Sequence, residues 1–371
     1  METCQIISDL LKRRNLHLSD ARKAAHEALN CLILKSLAII LLKNAACREI
    51  AAAEIMPTNL SGLFLPITTP FTADQDCDAD GLVKNLENWN QSGISGYVVL
   101  GSTGERVNLS EHEYLQVIEI ARRAVPETLT FIVGAGQQST RGTINEIERA
   151  ARAGAEAALV ITPHYYRSAI TQDVLIKHYA AVADISEIPI ILYSMPDLTG
   201  IKIEPETAAR LSQHKNIIGI KDSSADVEKL TGTVRLVRPD FAVMIGNGTV
   251  LCEALLAGAT GSILAVGCVT PQLCLEIHRA IKDGDNDRAA LLQEKLTPLA
   301  RAVTRTYGIG GLKAAMEMAG LVGGAVRAPL ERPGESARFE IRQLLDEANT
   351  FVKQATASEP RAVASGSKTR V

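Results

Sequence analysis

Short apolar runs rich in β-branched residues alternate with longer amphipathic segments through the middle of the chain. Runs of about four to eight such residues are typical of buried strands, and the segments between them have helical periodicity. We predict strands at residues 63–67, 97–100, 130–133, 158–161, 189–193, 217–221, 242–245 and 262–265. This alternation predicts parallel βαβ units, and the regular spacing favours a closed (β/α)8 TIM barrel of the α/β class.

Local capping signals predict where two of the helices begin. Ser110 has Glu113 three residues later, the pattern of a capping box, which predicts a helix over 111–125. Ser139 in the same way precedes a predicted helix over 140–153.

Two further helical segments, 285–306 and 312–320, follow the eighth strand and its helix, and the last residues are small and polar. The predicted organisation is an N-terminal extension over 1–59, the barrel over 60–284, a C-terminal helical extension over 285–350 and a disordered tail over 351–371.

The most apolar run of the chain, residues 31–42, lies in the N-terminal extension. It is shorter than the about 20 residues that span a bilayer, and Lys35 interrupts it. Acidic residues precede it, which fits neither a secretory signal nor a mitochondrial presequence. We therefore expect no membrane association and a cytoplasmic protein, with the extension either an accessory helix or a dispensable segment ahead of Met56.

Composition narrows the class of protein. Hydrophobic residues make up 46% and charged residues 22%, a balance typical of a globular enzyme. A net charge of −3, without basic clusters among aromatics, argues against a nucleic-acid partner. The seven cysteines and seven histidines show no C-x-x-C or H-x-x-x-H spacing, so we expect neither disulfides nor a metal site.

Small and polar residues follow several predicted strands directly. They are Gly-Ser-Thr-Gly-Glu at 101–105, Thr-Pro-His-Tyr-Tyr-Arg at 162–167, Tyr193, Lys221 and Gly-Asn-Gly at 246–248. Because barrel enzymes carry their chemistry at the carboxyl ends of the strands, these groups are expected to meet at one mouth.

Lys221 ends an apolar strand, so part of its amine should be neutral near pH 7 and able to attack a ketone. Tyr193 ends the preceding strand and is suited to shuttle protons, while Ser102 and Thr103, with glycine amides, are suited to hold a carboxylate. Asp222 should face the opposite side of the strand and is not the base. Each of these residues, taken alone, also has a structural explanation, such as a lysine extending from a strand end to solvent.

Together, Gly-Ser-Thr-Gly-Glu, Thr-Pro-His-Tyr-Tyr-Arg, Ile-Leu-Tyr-Ser-Met-Pro, Ile-Ile-Gly-Ile-Lys-Asp-Ser-Ser, Ile-Gly-Asn-Gly and Gly-Ser-Ile-Leu-Ala resemble the dihydrodipicolinate synthase and N-acetylneuraminate lyase family of class I aldolases. The resemblance covers about residues 60–345. It implies that Lys221 forms a Schiff base with a 2-oxo acid and that Tyr193 is the acid/base. Ser102, at the family's usual threonine, and Tyr165, reaching in from an adjacent subunit, would complete a proton relay. The implied substrate-binding residues are Thr103, Ser223, Gly246 and Ile263.

The same resemblance implies a homotetramer made of two dimers, and no metal or organic cofactor beyond the covalent Schiff base. Lys-Asp-Ser at 221–223, Tyr-Ser at 193–194 and Pro-His-Tyr-Tyr-Arg look most like the 4-hydroxy-2-oxoglutarate aldolase branch. Cleavage of 4-hydroxy-2-oxoglutarate to pyruvate and glyoxylate is therefore the predicted function. That branch commonly has asparagine where Thr103 stands, which is a departure.

Leu198 separates this reading from the alternatives. Synthases of the lysine pathway carry an arginine at this position to bind the carboxylate of the second substrate, and leucine offers no charge or hydrogen bond there. The alternative is 4-hydroxy-tetrahydrodipicolinate synthase, which condenses pyruvate with aspartate semialdehyde. A 2-keto-3-deoxy sugar acid aldolase and a barrel that only binds a 2-oxo acid remain open, and Arg106 or Arg167 is a candidate for a distal carboxylate.

Overall fold

A computed structural model describes residues 58–357. The predictions made for residues 1–57 and 358–371 lie outside the described residues.

Eight parallel strands close into a barrel in chain order, with β1 bonded to both β2 and β8. They are β1 (Gly62–Pro66), β2 (Gly96–Val99), β3 (Thr130–Ala135), β4 (Ala157–Ile161), β5 (Ile190–Ser194), β6 (Ile217–Asp222), β7 (Ala242–Ile245) and β8 (Gly261–Ile263). The predicted TIM barrel is confirmed. β8 ends earlier than predicted because the chain turns there into a 3-10 helix, Ala265–Cys268.

Side chains alternate between the inside and the outside of the barrel, because successive residues of a strand face opposite ways. One apolar cluster fills the interior and includes Phe64, Val98, Leu159, Met244 and Ile263. A second and larger cluster lies between the strands and the surrounding helices. The interior is thus packed, which leaves the mouth at the strand ends as the place for a site.

The helices are α1 (Ala79–Trp89), α2 (Glu111–Ala124), α3 (Thr140–Arg152), α4 (Gln172–Ile185), α5 (Pro196–Thr199), α6 (Pro205–Ser212), α7 (Val227–Leu236), α8 (Leu251–Leu256), α9 (Pro271–Lys282), α10 (Asn286–Arg301), α11 (Gly308–Met318) and α12 (Glu335–Ala357). Both predicted caps are present: Ser110 and Glu113 form the capping box of α2, and Ser139 accepts from the Gly142 amide at the start of α3.

The C-terminal extension departs from its prediction at two points. The helix predicted over 285–306 ends at Arg301 and continues as a π-helical turn, Ala302–Thr306, where the Thr304 hydroxyl donates to the Ala300 carbonyl at 2.6 Å. A side chain that competes for a helix carbonyl favours such irregularity. α12 runs into the predicted tail, because Phe351 still packs against the core, with Lys295 Nζ 5.8 Å from its ring centroid.

Among residues 58–357, no helix has both the length and the apolar character that crossing a bilayer requires.

Candidate active site

A buried amine and a buried phenol lie side by side at the barrel mouth. Tyr193 of β5 and Lys221 of β6 are paired in register, and each is only 4% exposed. Lys221 Nζ lies 4.4 Å from the centroid of the Tyr193 ring. The sheet thus holds a primary amine beside a phenol, which is the arrangement that the roles predicted for Lys221 and Tyr193 require.

The loop after β2 brings a hydroxyl to this pair. Ser102 Oγ lies 3.4 Å from the Tyr193 hydroxyl. Ser102 begins a short 3-10 turn, Ser102–Gly104, in which Thr103 is buried and the Gly104 carbonyl accepts from Thr69 Oγ1 at 2.8 Å. Phenol and hydroxyl can therefore exchange a proton with little movement, and Thr103 lies in the same turn.

Gly246, just after β7, closes the other side of the site. A Cβ atom built on it would lie 2.1 Å from Ser223 Oγ and 2.7 Å from Lys221 Cε. Only glycine leaves those two side chains in place. Ser223 and Gly246 therefore lie next to the Lys221 side chain, and Ile263 of β8 is buried in the same interior cluster as Tyr193.

Asp222, the neighbour of Lys221 in sequence, takes no part in this group. Its carboxylate pairs with Lys229 Nζ at 2.9 Å and accepts from the Ser224 amide and hydroxyl at 2.8 and 2.6 Å. It therefore anchors the loop after β6, in agreement with the prediction that it is not the base.

A cavity of about 830 Å³ is lined by Ser102 and Tyr193 and by residues of the loops after β2, β3 and β4, including Arg106, Gln137 and His164. Arg106, a candidate for binding a distal carboxylate, has a partner within the protein instead. Its side chain is 10% exposed and pairs with Glu146 at 2.5 Å, while the Gly136 amide also donates to that carboxylate at 2.7 Å. Arg106 thus links the loop after β2 to the loop after β3.

Three predicted or candidate residues lie at the surface. Tyr165 is 75% exposed and packs edge-on against Tyr166, with centroids 5.1 Å apart. Within residues 58–357, no hydrogen bond joins its hydroxyl to Tyr193 or Ser102. Arg167 lies against Gly200, and Leu198 is 59% exposed in the same turn. Tyr165, predicted as a relay residue, therefore lies apart from Tyr193 and Ser102 within its own subunit.

Sequence reasoning missed two charged residues behind the Ser102–Gly104 turn. Glu105 and Lys313 are both buried, with Lys313 Nζ 2.5 Å from Glu105 Oε1. They lie far apart in the chain, and no local pattern joins them. The only available signal was a glutamate directly after Gly-Ser-Thr-Gly, a position where an unpaired carboxylate would be costly to bury.

Chemically, the group can form and hydrolyse an imine. A primary amine can attack a carbonyl carbon, a phenol and a hydroxyl beside it can move the protons, and a turn such as the one at Thr103 can bind an anionic group. Within the described part of the chain, no cluster of three or more His, Cys, Asp or Glu side chains is arranged to hold a metal ion.

Comparison with known proteins places this geometry among relatives. Residues 59–348 match the model of the dihydrodipicolinate synthetase family. The 4-hydroxy-tetrahydrodipicolinate synthase of Methanothrix thermoacetophila is 36% identical over 285 residues, which cover 76% of this chain and 95% of that protein.

Solved structures similar to this chain belong to the same family. The dihydrodipicolinate synthase of Thermotoga maritima superposes with a TM-score of 0.74 at 30% identity, covering 78% of this chain and 99% of that one. YagE, a prophage protein of the dihydrodipicolinic acid synthase family from E. coli K12, solved in complex with pyruvate, gives a TM-score of 0.73 at 29% identity, covering 78% and 98%. The names of these relatives favour the synthase branch and give no support to the predicted 4-hydroxy-2-oxoglutarate aldolase branch.

Proposed function

This chain belongs to the dihydrodipicolinate synthetase family, and on that premise we propose that Lys221 is the residue through which it joins pyruvate to an aldehyde, or releases it from one. Enzymes of the family are class I aldolases that use a lysine Schiff base with pyruvate and no external cofactor. One observation carries the assignment of the residue: Lys221 Nζ is buried 4.4 Å from the Tyr193 ring, whose hydroxyl lies 3.4 Å from Ser102.

The cycle begins when the Lys221 amine adds to the C2 carbonyl of pyruvate. The carbinolamine loses water, and Tyr193 supplies the proton that the departing hydroxyl needs. Loss of a C3 proton from the iminium gives an enamine, whose C3 attacks the aldehyde carbon while the aldehyde oxygen takes up a proton. Hydrolysis of the new iminium frees the amine, and the reverse sequence splits a 4-hydroxy-2-oxo acid into pyruvate and an aldehyde.

The carboxylate of the pyruvate unit binds in the Ser102–Gly104 turn. Thr103 is buried there, and turn amides next to a hydroxyl are suited to an anion. Ser223 and Gly246 bound the space next to the amine on the side of β7. This places the C2 carbon between the turn and Lys221.

The first candidate for the complete reaction is synthesis of 4-hydroxy-tetrahydrodipicolinate from pyruvate and aspartate semialdehyde. Its support is the name of the relatives, which match this chain over about three quarters of its length (76% for the one described). The second candidate is cleavage of 4-hydroxy-2-oxoglutarate. Its support is Leu198, 59% exposed where the synthases have a carboxylate-binding arginine, since a leucine there removes that contact.

We also propose that the subunits form a homotetramer of two dimers. The tetramer is what the family resemblance implies, and the exposed ring of Tyr165, away from its proposed relay partners, supports only a contact between two copies. A tyrosine in that position completes the relay when a second copy presents it.

The test is covalent trapping. Pyruvate with borohydride should reduce the imine and leave one adduct, which peptide mapping locates on Lys221, while Lys221→Met remains unlabelled. The buried Lys229 and Lys313, which are ion-paired, serve as internal controls and should carry no label. An adduct on another lysine, or none, contradicts the proposal. Assays with aspartate semialdehyde plus pyruvate, and with 4-hydroxy-2-oxoglutarate alone, then decide between the two reactions.

A further inference from the structure

A second buried lysine lies behind the turn that holds Ser102 and Thr103, and the proposed cycle does not use it. Lys313 of α11 is 1% exposed, and its Nζ lies 2.5 Å from Glu105 Oε1. The Glu105 side chain is fully buried. Burying two charges is unfavourable unless their pairing is good, so such a pair often has a purpose besides stability.

The turn between β2 and Glu105 has an unfavourable backbone at both ends. Leu100 has φ 59° and Glu105 has φ 56°, in the left-handed region that residues with a side chain rarely adopt. Ser102 and Thr103 lie between them. Such conformations persist when surrounding contacts hold them, and they are frequent at functional sites.

The Glu105 carboxylate is held from two directions by the C-terminal extension. Lys313 Nζ pairs with Oε1, and the Arg327 amide donates to Oε2 at 2.9 Å. Lys313 Nζ also donates to the Ala325 carbonyl at 2.6 Å and lies 4.5 Å from the Phe71 ring centroid. The C-terminal end of the strained turn is therefore fastened to residues more than two hundred positions away in the chain.

The contacts of Lys313 Nζ lie behind the turn. Burial lowers its pKa, and the neighbouring Glu105 opposes that shift. Its donor contacts go to Glu105 and Ala325, so it acts on the site only through the turn.

We propose that Lys313 and Glu105 are positioning residues, which fix the Ser102–Gly104 turn so that Thr103 meets the pyruvate carboxylate and Ser102 stays within reach of Tyr193. This rests on the proposed function, since it names what the turn binds. When the pair is broken, the turn relaxes toward ordinary backbone angles and the carboxylate loses its contacts. Pyruvate binding then weakens, while the Lys221 amine, which β6 positions, keeps its reactivity.

The experiment compares Lys313→Met and Glu105→Gln with the double variant and with Glu276→Gln as a matched control. Glu276 is another buried carboxylate, bonded by Arg279 at 2.7 Å and Arg288 at 2.8 Å between α9 and α10. KM for pyruvate, the extent of borohydride labelling at saturating pyruvate and the thermal midpoint are measured for each.

The two single variants should raise KM for pyruvate by about tenfold or more, because small displacements of a binding group are costly. Labelling of Lys221 at saturating pyruvate should remain complete. Glu276→Gln should lower the thermal midpoint without raising KM. The double variant, which leaves no unpaired buried charge, should regain part of the stability and keep the raised KM.

An unchanged KM in both single variants overturns the positioning role, and so does an equal rise in Glu276→Gln. If neither single variant folds, the double variant decides, and a normal KM there overturns the proposal. A wild-type enzyme that pyruvate and borohydride leave unlabelled refutes the proposed function instead. A labelled wild type with an unmoved KM in the variants refutes only the role of the pair.

Discussion

At the residue scale, Gly246 shows how closely the reactive amine is packed. A Cβ atom there would lie well inside contact distance of Ser223 Oγ and Lys221 Cε. Added atoms in a packed site force side chains off their preferred rotamers, and small misplacements of reacting groups are expensive. Ser223 Oγ, at 2.1 Å, and Lys221 Cε, at 2.7 Å, would both have to move.

Gly246→Ala should therefore slow imine formation with pyruvate by about a hundredfold, measured as the rate of borohydride trapping. The matched control is Gly232→Ala in α7, where a new Cβ meets Pro205 at an ordinary 3.6 Å. That variant should trap pyruvate normally and unfold at a slightly higher temperature, because alanine favours a helix over glycine. Normal trapping by Gly246→Ala would contradict the packing described for the site.

The residues of the site differ in how far the sequence predicts them. Lys221 and Tyr193 follow from strand ends, because the barrel rule converts a position along the chain into a position in space. The ion pair of Arg106 does not, since its partner Glu146 lies forty residues away on α3 and no local pattern joins the two. The role proposed for Tyr165 depends on a second subunit, and a pattern within one chain does not determine how subunits meet.

At the element scale, the N-terminus of α2 is tied to the C-terminal extension. Glu113 accepts from the Ser110 amide at 2.8 Å within the capping box and pairs with Arg327 at 2.7 Å. The hydrogen bond from Arg327 is the main reason that the pKa of Glu113 is lowered from 4.5 to about 2. The carboxylate therefore stays ionised in the folded protein at pH values where the unfolded chain is already protonated.

This linkage makes stability depend on pH. Above pH 4.5 the contribution of Glu113 is fully present, and it is lost as the pH falls toward about 2. Between about pH 5 and pH 3, the free energy of unfolding, measured with urea, should fall less steeply in Glu113→Gln than in wild type. Glu111→Gln, in the same turn but paired with Arg149, is the control and should follow wild type. Equal slopes for all three proteins would argue against the Arg327 linkage.

Elements are predictable where their signals are local. Ser110 and Ser139 fix the starts of α2 and α3 because a cap involves residues only three positions apart. The π-helical turn Ala302–Thr306 was not predictable, since the sequence there looks helical and no local pattern marks the change. The continuation of α12 depends on tertiary packing at Phe351.

At the scale of the whole molecule, the number and spacing of the strands predicted the barrel. The contacts between the C-terminal extension and the barrel mouth could not be predicted in this way. Asn85 of α1 exchanges two hydrogen bonds with Val322, both 2.8 Å, and Arg327 reaches Glu105 and Glu113. Periodicity reports which face of an element is buried and not what covers it.

The proposed oligomer gives a prediction at this scale. Lys221→Met and Tyr165→Phe should each have little activity, and a mixture allowed to exchange subunits should recover activity, because one subunit then supplies the phenol to the other's intact lysine. The control is a mixture of Lys221→Met with Tyr193→Phe. Lys221 and Tyr193 act within the same subunit, so each site in this mixture still lacks one of the two and activity should not recover. No gain in the first mixture, with exchange verified by native mass spectrometry, would show that Tyr165 does not act across subunits.

Tyr193 and Lys221 occupy paired positions on adjacent strands, so the ladder of main-chain hydrogen bonds sets their separation. Leu198, in contrast, lies on α5, in the connection that follows β5. A connection can be rebuilt without disturbing a ladder. A new preference for the aldehyde should therefore be obtainable by replacing the connection after β5, while Tyr193 and Lys221 keep their positions.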